Sequence, residues 1–217
     1  MRVLDEYEAL EFFACHNIPV VPTVLATDLT AALKAASEVG YPVVLKLSSP
    51  ELTHKSESGA VTLGISSDAE LEAAWNALQD KATGMGLEGP RLRGMLVQKM
   101  IQRGAEFIIG GTRDASFGPT IMFGMGGVYT ELFRDVAFRL APVDRKEAER
   151  MVAETRASRL IEGFRGPALA GSALLDVLVA VSNLMHTVPE LLELDINPFL
   201  LDSRGGIAAD ALITLAE

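Results

Sequence analysis

The sequence predicts an α+β fold built in two lobes, on three observations. Segments of helical periodicity alternate with short β-branched runs up to about residue 90. From Arg93 onward, apolar runs follow one another through brief polar connections, a pattern that favours antiparallel pairing. Between the two regions, Gly84–Pro90 is rich in glycine and reads as the join. A chain of 217 residues with 49% hydrophobic content can bury the core of one domain or of two small lobes.

Residues 4–16 set Leu4, Tyr7, Leu10 and Ala14 at helical spacing, with acidic residues between them. Asn17 suits the left-handed position that closes a helix, and Pro19 follows. His16 falls in the last turn, where the dipole favours a cation, so it reads as a cap rather than a ligand. Ile18–Ala26 reads as a short strand. A second helix starts near Asp28, gathers Leu29, Ala32, Leu33 and Ala36 on one face and stops at Gly40. Tyr41–Ser48 is a strand, a polar loop follows, and Gly59 opens another apolar run. Ser67-Asp68-Ala69-Glu70 is a capping-box pattern, and Leu71, Trp75 and Leu78 continue it as a helix with Trp75 in the core.

In the second half, Arg93–Ile101, Ala105–Thr112 and Pro119–Phe123 read as strands. Gly124-Met125-Gly126-Gly127 lacks the spacing of a dinucleotide fingerprint and is a weak signal alone. Asp144 begins a helix with Ala148, Met151 and Val152 on its buried face. Ser172–His186 is apolar almost all round, which predicts a buried helix and a structural His186.

Composition excludes several classes of function. A net charge of −10 argues against nonspecific nucleic-acid binding and requires any phosphate site to gather positive charge locally. Lys46, Lys55, Lys99, Arg103, Arg113, Arg134 and Arg139 lie near predicted strands or loops, although a scattered solvated set accounts for them equally well. No stretch approaches the roughly 20 apolar residues of a membrane span, and the acidic start MRVLDEYEALEFF is unlike a secretory signal. A single cysteine, Cys15, offers neither an internal disulfide nor a thiolate cluster. The expectation is a soluble, cytoplasmic protein with no membrane and no nucleic-acid partner.

Three stretches carry chemistry. In Val43–Gly64, Lys46 stands in an otherwise apolar strand, which is costly unless an anion meets it or the side chain snorkels to water. In Glu193-Leu194-Asp195-Ile196-Asn197-Pro198-Phe199, alternation points Glu193, Asp195 and Asn197 to one face. A turn at Gly205-Gly206 would return the chain as Ile207–Ala211 and bring Asp210 near Asn197. That pair suits Mg²⁺, which takes one or two carboxylates with waters and substrate phosphates; an ordinary hairpin with a wet face is the alternative. In Val97–Arg113, the Gln98-Lys99-Met100-Ile101 backbone could bond a purine edge beside an apolar slot. Glu106, re-entering the next strand, would find partners in ribose hydroxyls.

VVLK, the THKSESGAV loop, LVQKM, GAEFIIGGTRD, FGPTIMFGMGGVYTE, FRLAP and ELDINP occur in this order. Together they resemble an ATP-grasp domain, and more narrowly the β subunit, or fused nucleotide domain, of ADP-forming (NDP-forming) acyl-CoA synthetases such as acetate–CoA ligase. The likeness runs from about Ile18 to Ala211. It implies two lobes with nucleotide bound between them: residues 1–17 a leading helix, 18–92 the N-terminal lobe and 93–217 the C-terminal lobe. It also implies ATP/ADP and Mg²⁺ as cofactors. Lys46, with the backbone of Ser56–Gly59, would hold phosphates, Gln98, Lys99 and Ile101 the adenine, and Glu106 the ribose. Asn197 and Asp210 would hold Mg²⁺, with Asp195 behind them or acting on an incoming phosphohistidine. Arg113 and Arg139 would lie near the transferring phosphate, and His54 would relay a phosphoryl group.

Where the family usually has Asp-x-Gly-Gly, this chain has Glu57-Ser58-Gly59-Ala60, which bears on how closely that loop's backbone approaches phosphate. The implied reaction is acyl-CoA + ADP + phosphate ⇌ acid + CoA + ATP. It requires a CoA-binding α subunit or domain, with α₂β₂ the implied assembly. A nucleotide-sensing module that no longer turns over is the alternative.

Overall fold

The computed structural model describes residues 1–49, 51–52, 58–87, 89–101, 104–127 and 135–216. Backbone contacts divide the chain into two units. One comprises Met1–Leu4, Glu8–Val20 and Arg103–Glu217, and the other Asp5–Tyr7 and Val21–Gln102. Each has its own sheet and its own apolar cluster.

The smaller unit is a four-stranded antiparallel sheet in the order β2 (Thr23–Ala26), β5 (Gly94–Lys99), β3 (Val43–Ser48) and β4 (Val61–Ile65). Helices α2 (Leu29–Val39) and α3 (Asp68–Gly84) belong to it. Asp28 caps α2 by accepting the Ala31 N–H at 2.8 Å, and Gly40 closes it with φ 78°. Ser67 accepts the Glu70 N–H, while the Glu70 carboxylate reaches back to the Ser66 N–H at 2.7 Å. Val43, Leu45 and Leu47 face the helices in a core with Met95, Val97, Leu71 and Trp75. Alternation therefore turns Lys46 and Ser48 to the opposite face.

The larger unit is a seven-stranded sheet in the order β1 (Arg2–Leu4), β11 (Ala211–Leu215), β9 (Leu191–Leu201), β6 (Ala105–Asp114), β7 (Gly118–Met125) and β8 (Val136–Leu140), with β10 (Gly206–Ala208) also paired to β9. Helix α1 (Glu6–Cys15) ends at Asn17, whose φ is 60°. Helices α4 (Arg145–Ala153), α5 (Ala157–Ile161) and α6 (Gly171–Thr187) complete the unit. Asp144 caps α4 by accepting the Glu147 N–H at 2.7 Å. Ile109, Ile121, Phe123, Leu194 and Ile196 share a core with Val177, Val181 and Met185 of α6. Gly111 allows that contact, since a Cβ there would lie 2.8 Å from Met185.

Four expectations are corrected. Leu4 belongs to a strand, because residues 2–4 pair with β11 and helix α1 starts only at Glu6. The strand expected at Ile18–Ala26 is confined to Thr23–Ala26, apart from one bridge between Val20 and Ala208, since Pro19 and Pro22 have no N–H for a ladder. Ile207–Ala211 is not one strand: the ladder breaks at Ala209–Asp210 between β10 and β11. Arg93–Ile101 does not open the second sheet, because β5 is a central strand of the first, paired to both β2 and β3. Among the described residues, no helix is long and apolar enough to cross a membrane.

Candidate functional site

In the smaller unit, the face opposite the helices carries three buried polar residues, Lys46, Ser48 and Gln98. Lys46 pairs in register with Leu96, and Val44 with Gln98, so the lysine and glutamine are diagonal neighbours. Gln98 Nε2 donates to Thr23 Oγ1 at 3.1 Å. Ser48 Oγ is buried with no hydrogen-bond partner among the described residues, the signature of a polar group that a ligand could satisfy. Lys46 Nζ donates to Glu6 Oε1 at 2.6 Å, with the side chains 8% and 1% exposed. Asp5, beside Glu6, pairs with Arg93. Sequence reasoning asked for an anion at Lys46 and missed that this chain supplies one. Glu6 lies 40 residues away, among acidic residues that read as the wet face of a helix.

The other residues expected here divide. Ile101 is half-buried just beyond β5. Gly59 takes φ 64°, where a side chain would be strained. The Lys99 ammonium donates to the carbonyls of Gly40 at 2.6 Å and Tyr41 at 3.0 Å, at the C-terminal end of α2. That is a helix-end cap, and it engages the side chain of Lys99 rather than the backbone expected to meet a purine edge. His54 and Ser56 lie outside the described residues.

In the larger unit, β9 alternates as expected, with Leu194 and Ile196 in the core while Asp195 is half-buried and Glu193 and Asn197 are exposed. The constant register of Ala208 with Phe199 and Ala211 with Ile196 sets Asp210 opposite Asn197. Asp210 Oδ1 accepts the Ala211 N–H at 2.8 Å. Burial, and then the charges of Asp210 and Glu193, push the Asp195 carboxyl up to about 6. Gly110 opposes Asp195 on β6, and a Cβ there would come 3.9 Å from its Oδ1.

The two neighbouring carboxylates add to the cost of charging Asp195, and a cation would relieve it. Among the described residues, no group of three or more His, Cys, Asp or Glu could hold a metal by itself. One carboxylate and one amide oxygen, with an acid close by, fit an ion that completes its shell with water and phosphate, as Mg²⁺ does.

Glu106 is exposed on β6. Gly126 N–H donates to the Glu106 carbonyl at 2.8 Å, and a Cβ on Gly126 would meet Glu106 backbone at 2.9 Å. A Cβ on Gly127 would lie 2.9 Å from Glu106 Oε2. The glycines dismissed in the sequence as a weak signal therefore let the chain close against Glu106.

Both arginines are corrected by sheet parity. Arg139 pairs with Ile121, Ile121 with Gly111 and Gly111 with Leu194, the face packed on helices, whereas Asp195 looks the other way. Arg139 donates to Glu147 at 2.7 Å and to Glu154 at 2.6 Å, and these carboxylates raise its pKa further. Arg113 lies on the same helix-side face and donates to the carbonyls of Met185 at 2.6 Å, Val188 at 3.0 Å and Leu191 at 3.3 Å. It ties the end of α6 to the start of β9 and is not aimed at the acidic row.

The profile of the ATP-grasp domain family matches residues 1–215. The chain is an ATP-grasp domain. It is 42% identical over 211 residues to ADP-forming acetate–CoA ligase I of Archaeoglobus fulgidus, covering 97% of this chain and 30% of that protein. The β subunit of ADP-forming acetate–CoA ligase I of Pyrococcus furiosus is 37% identical, over 99% of this chain and 92% of that one. This ATP-grasp domain thus spans nearly all of a separate β subunit and under a third of a single-chain ligase.

Among solved structures, it is similar to the dinucleotide forming acetyl-coenzyme A synthetase 1 of Ca. Korarchaeum cryptofilum in complex with coenzyme A, Ca-AMPCP and HgCl+. That likeness has a TM-score of 0.94 at 38% identity and covers 99% of this chain and 94% of that one. A second structure of that protein holds coenzyme A and Mg-AMPPCP, with its phosphohistidine segment pointing towards the nucleotide-binding site. Its TM-score is 0.85 at 37% identity, over 99% of this chain and 93% of that one.

Proposed function

We propose that this ATP-grasp domain is the nucleotide-binding part of an ADP-forming acyl-CoA synthetase, and that it passes a phosphoryl group between a phosphohistidine and Mg·ADP. The observation that carries the reading is Asp210 set opposite Asn197, with the Asp195 carboxyl pushed up beside them. Such a row is unfavourable empty and favourable around a divalent cation. Asn197 and Asp210 would hold Mg²⁺, which would supply positive charge to offset that of the phosphates.

The residues of the chain do the positioning. Lys46 takes phosphate oxygen on the face it shares with Ser48. Gln98, Lys99 and Ile101 line the base, and Glu106 accepts from the ribose. A terminal oxygen of ADP attacks the phosphorus. The P–N bond to the histidine breaks, and the freed imidazole nitrogen takes up a proton. Alignment and charge neutralisation supply most of the catalysis.

The relatives support a CoA-binding α subunit or domain as the partner that forms the acyl phosphate and carries the phosphohistidine. We take the assembly to be α₂β₂, as the sequence likeness implies. His54 as a second phosphoryl carrier stands on the sequence likeness alone.

Phosphoryl transfer tests this directly. With ³²P-labelled phosphohistidine partner and Mg·ADP, Asp210→Ala and Asn197→Ala should each slow ATP formation by about 10²-fold or more. Transfer at the parent rate in both variants would refute the assignment.

A further inference from the structure

The buried pair of Lys46 and Glu6 does something that the proposed reaction does not call for. A lysine kept for phosphate has its ammonium bonded at 2.6 Å to a carboxylate of its own chain, and the Glu6 side chain is only 1% exposed. Glu6 and Asp5 both reach polar partners of the smaller unit, Lys46 and Arg93, and that unit includes Asp5–Tyr7. Two residues along the same face, Ser48 Oγ has no partner among the described residues. The face thus carries buried polar groups of which one is unsatisfied, as expected where a ligand completes the bonding.

We propose that Glu6 is an internal competitor for the phosphate-binding lysine, a positioning residue that weakens nucleotide binding by acting as Lys46's counter-ion in the empty chain. The inference rests on the reading of Lys46 as a phosphate ligand. The argument is one of linkage. A buried ammonium without a counter-ion is strongly unfavourable. With Glu6 present, the empty protein avoids that cost, and arriving phosphate gains little from neutralising a charge already neutralised. Without the Glu6 charge, phosphate becomes the group that relieves the buried ammonium, so the empty state loses more than the complex and affinity rises. A protein that must release ATP each turnover benefits from keeping this affinity low.

The test is a double-mutant cycle on the full-length protein, read by calorimetric binding of Mg·ADP and of adenosine. Glu6→Gln should lower the melting temperature of the empty protein, enlarge the rise in melting temperature that Mg·ADP produces, and tighten Mg·ADP by about tenfold. Adenosine, which has no phosphate, should bind as before. Lys46→Met should weaken Mg·ADP, and adding Glu6→Gln to it should change nothing further.

Unchanged or weaker Mg·ADP binding in Glu6→Gln, with Lys46→Met still impaired, overturns the inference and leaves the function standing. An equal change for adenosine, or an equal change in the Lys46→Met background, also overturns it. If Lys46→Met leaves Mg·ADP binding intact, the phosphate role of Lys46 itself fails. Should Glu6→Gln not fold, Glu6→Asp keeps the charge while withdrawing it by one methylene. It should tighten Mg·ADP more modestly, and no tightening counts against the proposal.

Discussion

At Asp195, burial and the neighbouring carboxylates of Asp210 and Glu193 raise the side chain to about 6 from an ordinary 3.8. Between those values the folded chain keeps a proton that the unfolded chain has released. Stability therefore falls as pH rises across that window and stays lower above it. Asp195→Asn removes the charge, so its melting temperature should exceed the parent's at pH 7.5 and match it near pH 4. The difference corresponds to at most about 3 kcal/mol, or roughly 2–4 °C for each kcal/mol in a chain of this size. A gap of the same size at both pH values would show that packing, not charge, is responsible. The acidic row was legible in the sequence because strand alternation needs only neighbours along the chain. Glu6 was not, because a contact over 40 residues leaves no local periodicity. Arg113 and Arg139 were misplaced for a related reason: proximity to a strand end does not reveal which carbonyl or carboxylate a long side chain reaches.

Among the elements, what reads well is what chemistry punctuates locally. Asp28, Ser67 and Asp144 each accept a backbone N–H three residues on, as their positions before apolar helices predicted. Strand β1 has three residues and gains definition only by pairing with β11, so it passed for the start of a helix. Strand β8 lay unread between the glycine cluster and α4. The glycines of the larger sheet now differ in what they are expected to tolerate. A Cβ on Gly110 comes closest to the flexible end of Met122, at 3.2 Å, whereas one on Gly126 meets Glu106 backbone at 2.9 Å. Gly126→Ala should therefore cost about 1–3 kcal/mol, and Gly110→Ala clearly less, by urea titration of both variants. Equal midpoints would mean that the Gly126–Glu106 approach relaxes freely.

For the molecule as a whole, the sequence indicated two lobes but not their membership. Gly84–Pro90 reads as a linker, yet the chain passes through it and returns β5 to the middle of the first sheet. Glycine content marks a turn; it does not say whether the next strand stays or leaves. The N-terminal residues are similarly divided, with Arg2–Leu4 pairing to β11 and Asp5 and Glu6 reaching Arg93 and Lys46. Removing residues 1–7 should therefore speed hydrogen exchange in β11 and also in β3 and β5. Faster exchange in β11 alone would mean that the acidic pair does not support the smaller sheet.

The interruption between β10 and β11 has a practical side. Asp210 sits where the ladder lapses, outside the paired stretches on either side, and its carboxylate holds the Ala211 N–H at the start of β11. A library at this one position, restricted to side chains that can still accept that N–H and screened for phosphoryl transfer with manganese, calcium or cobalt, samples the ion preference of the proposed site. Under the proposed function, it is the natural first place to re-engineer ion preference.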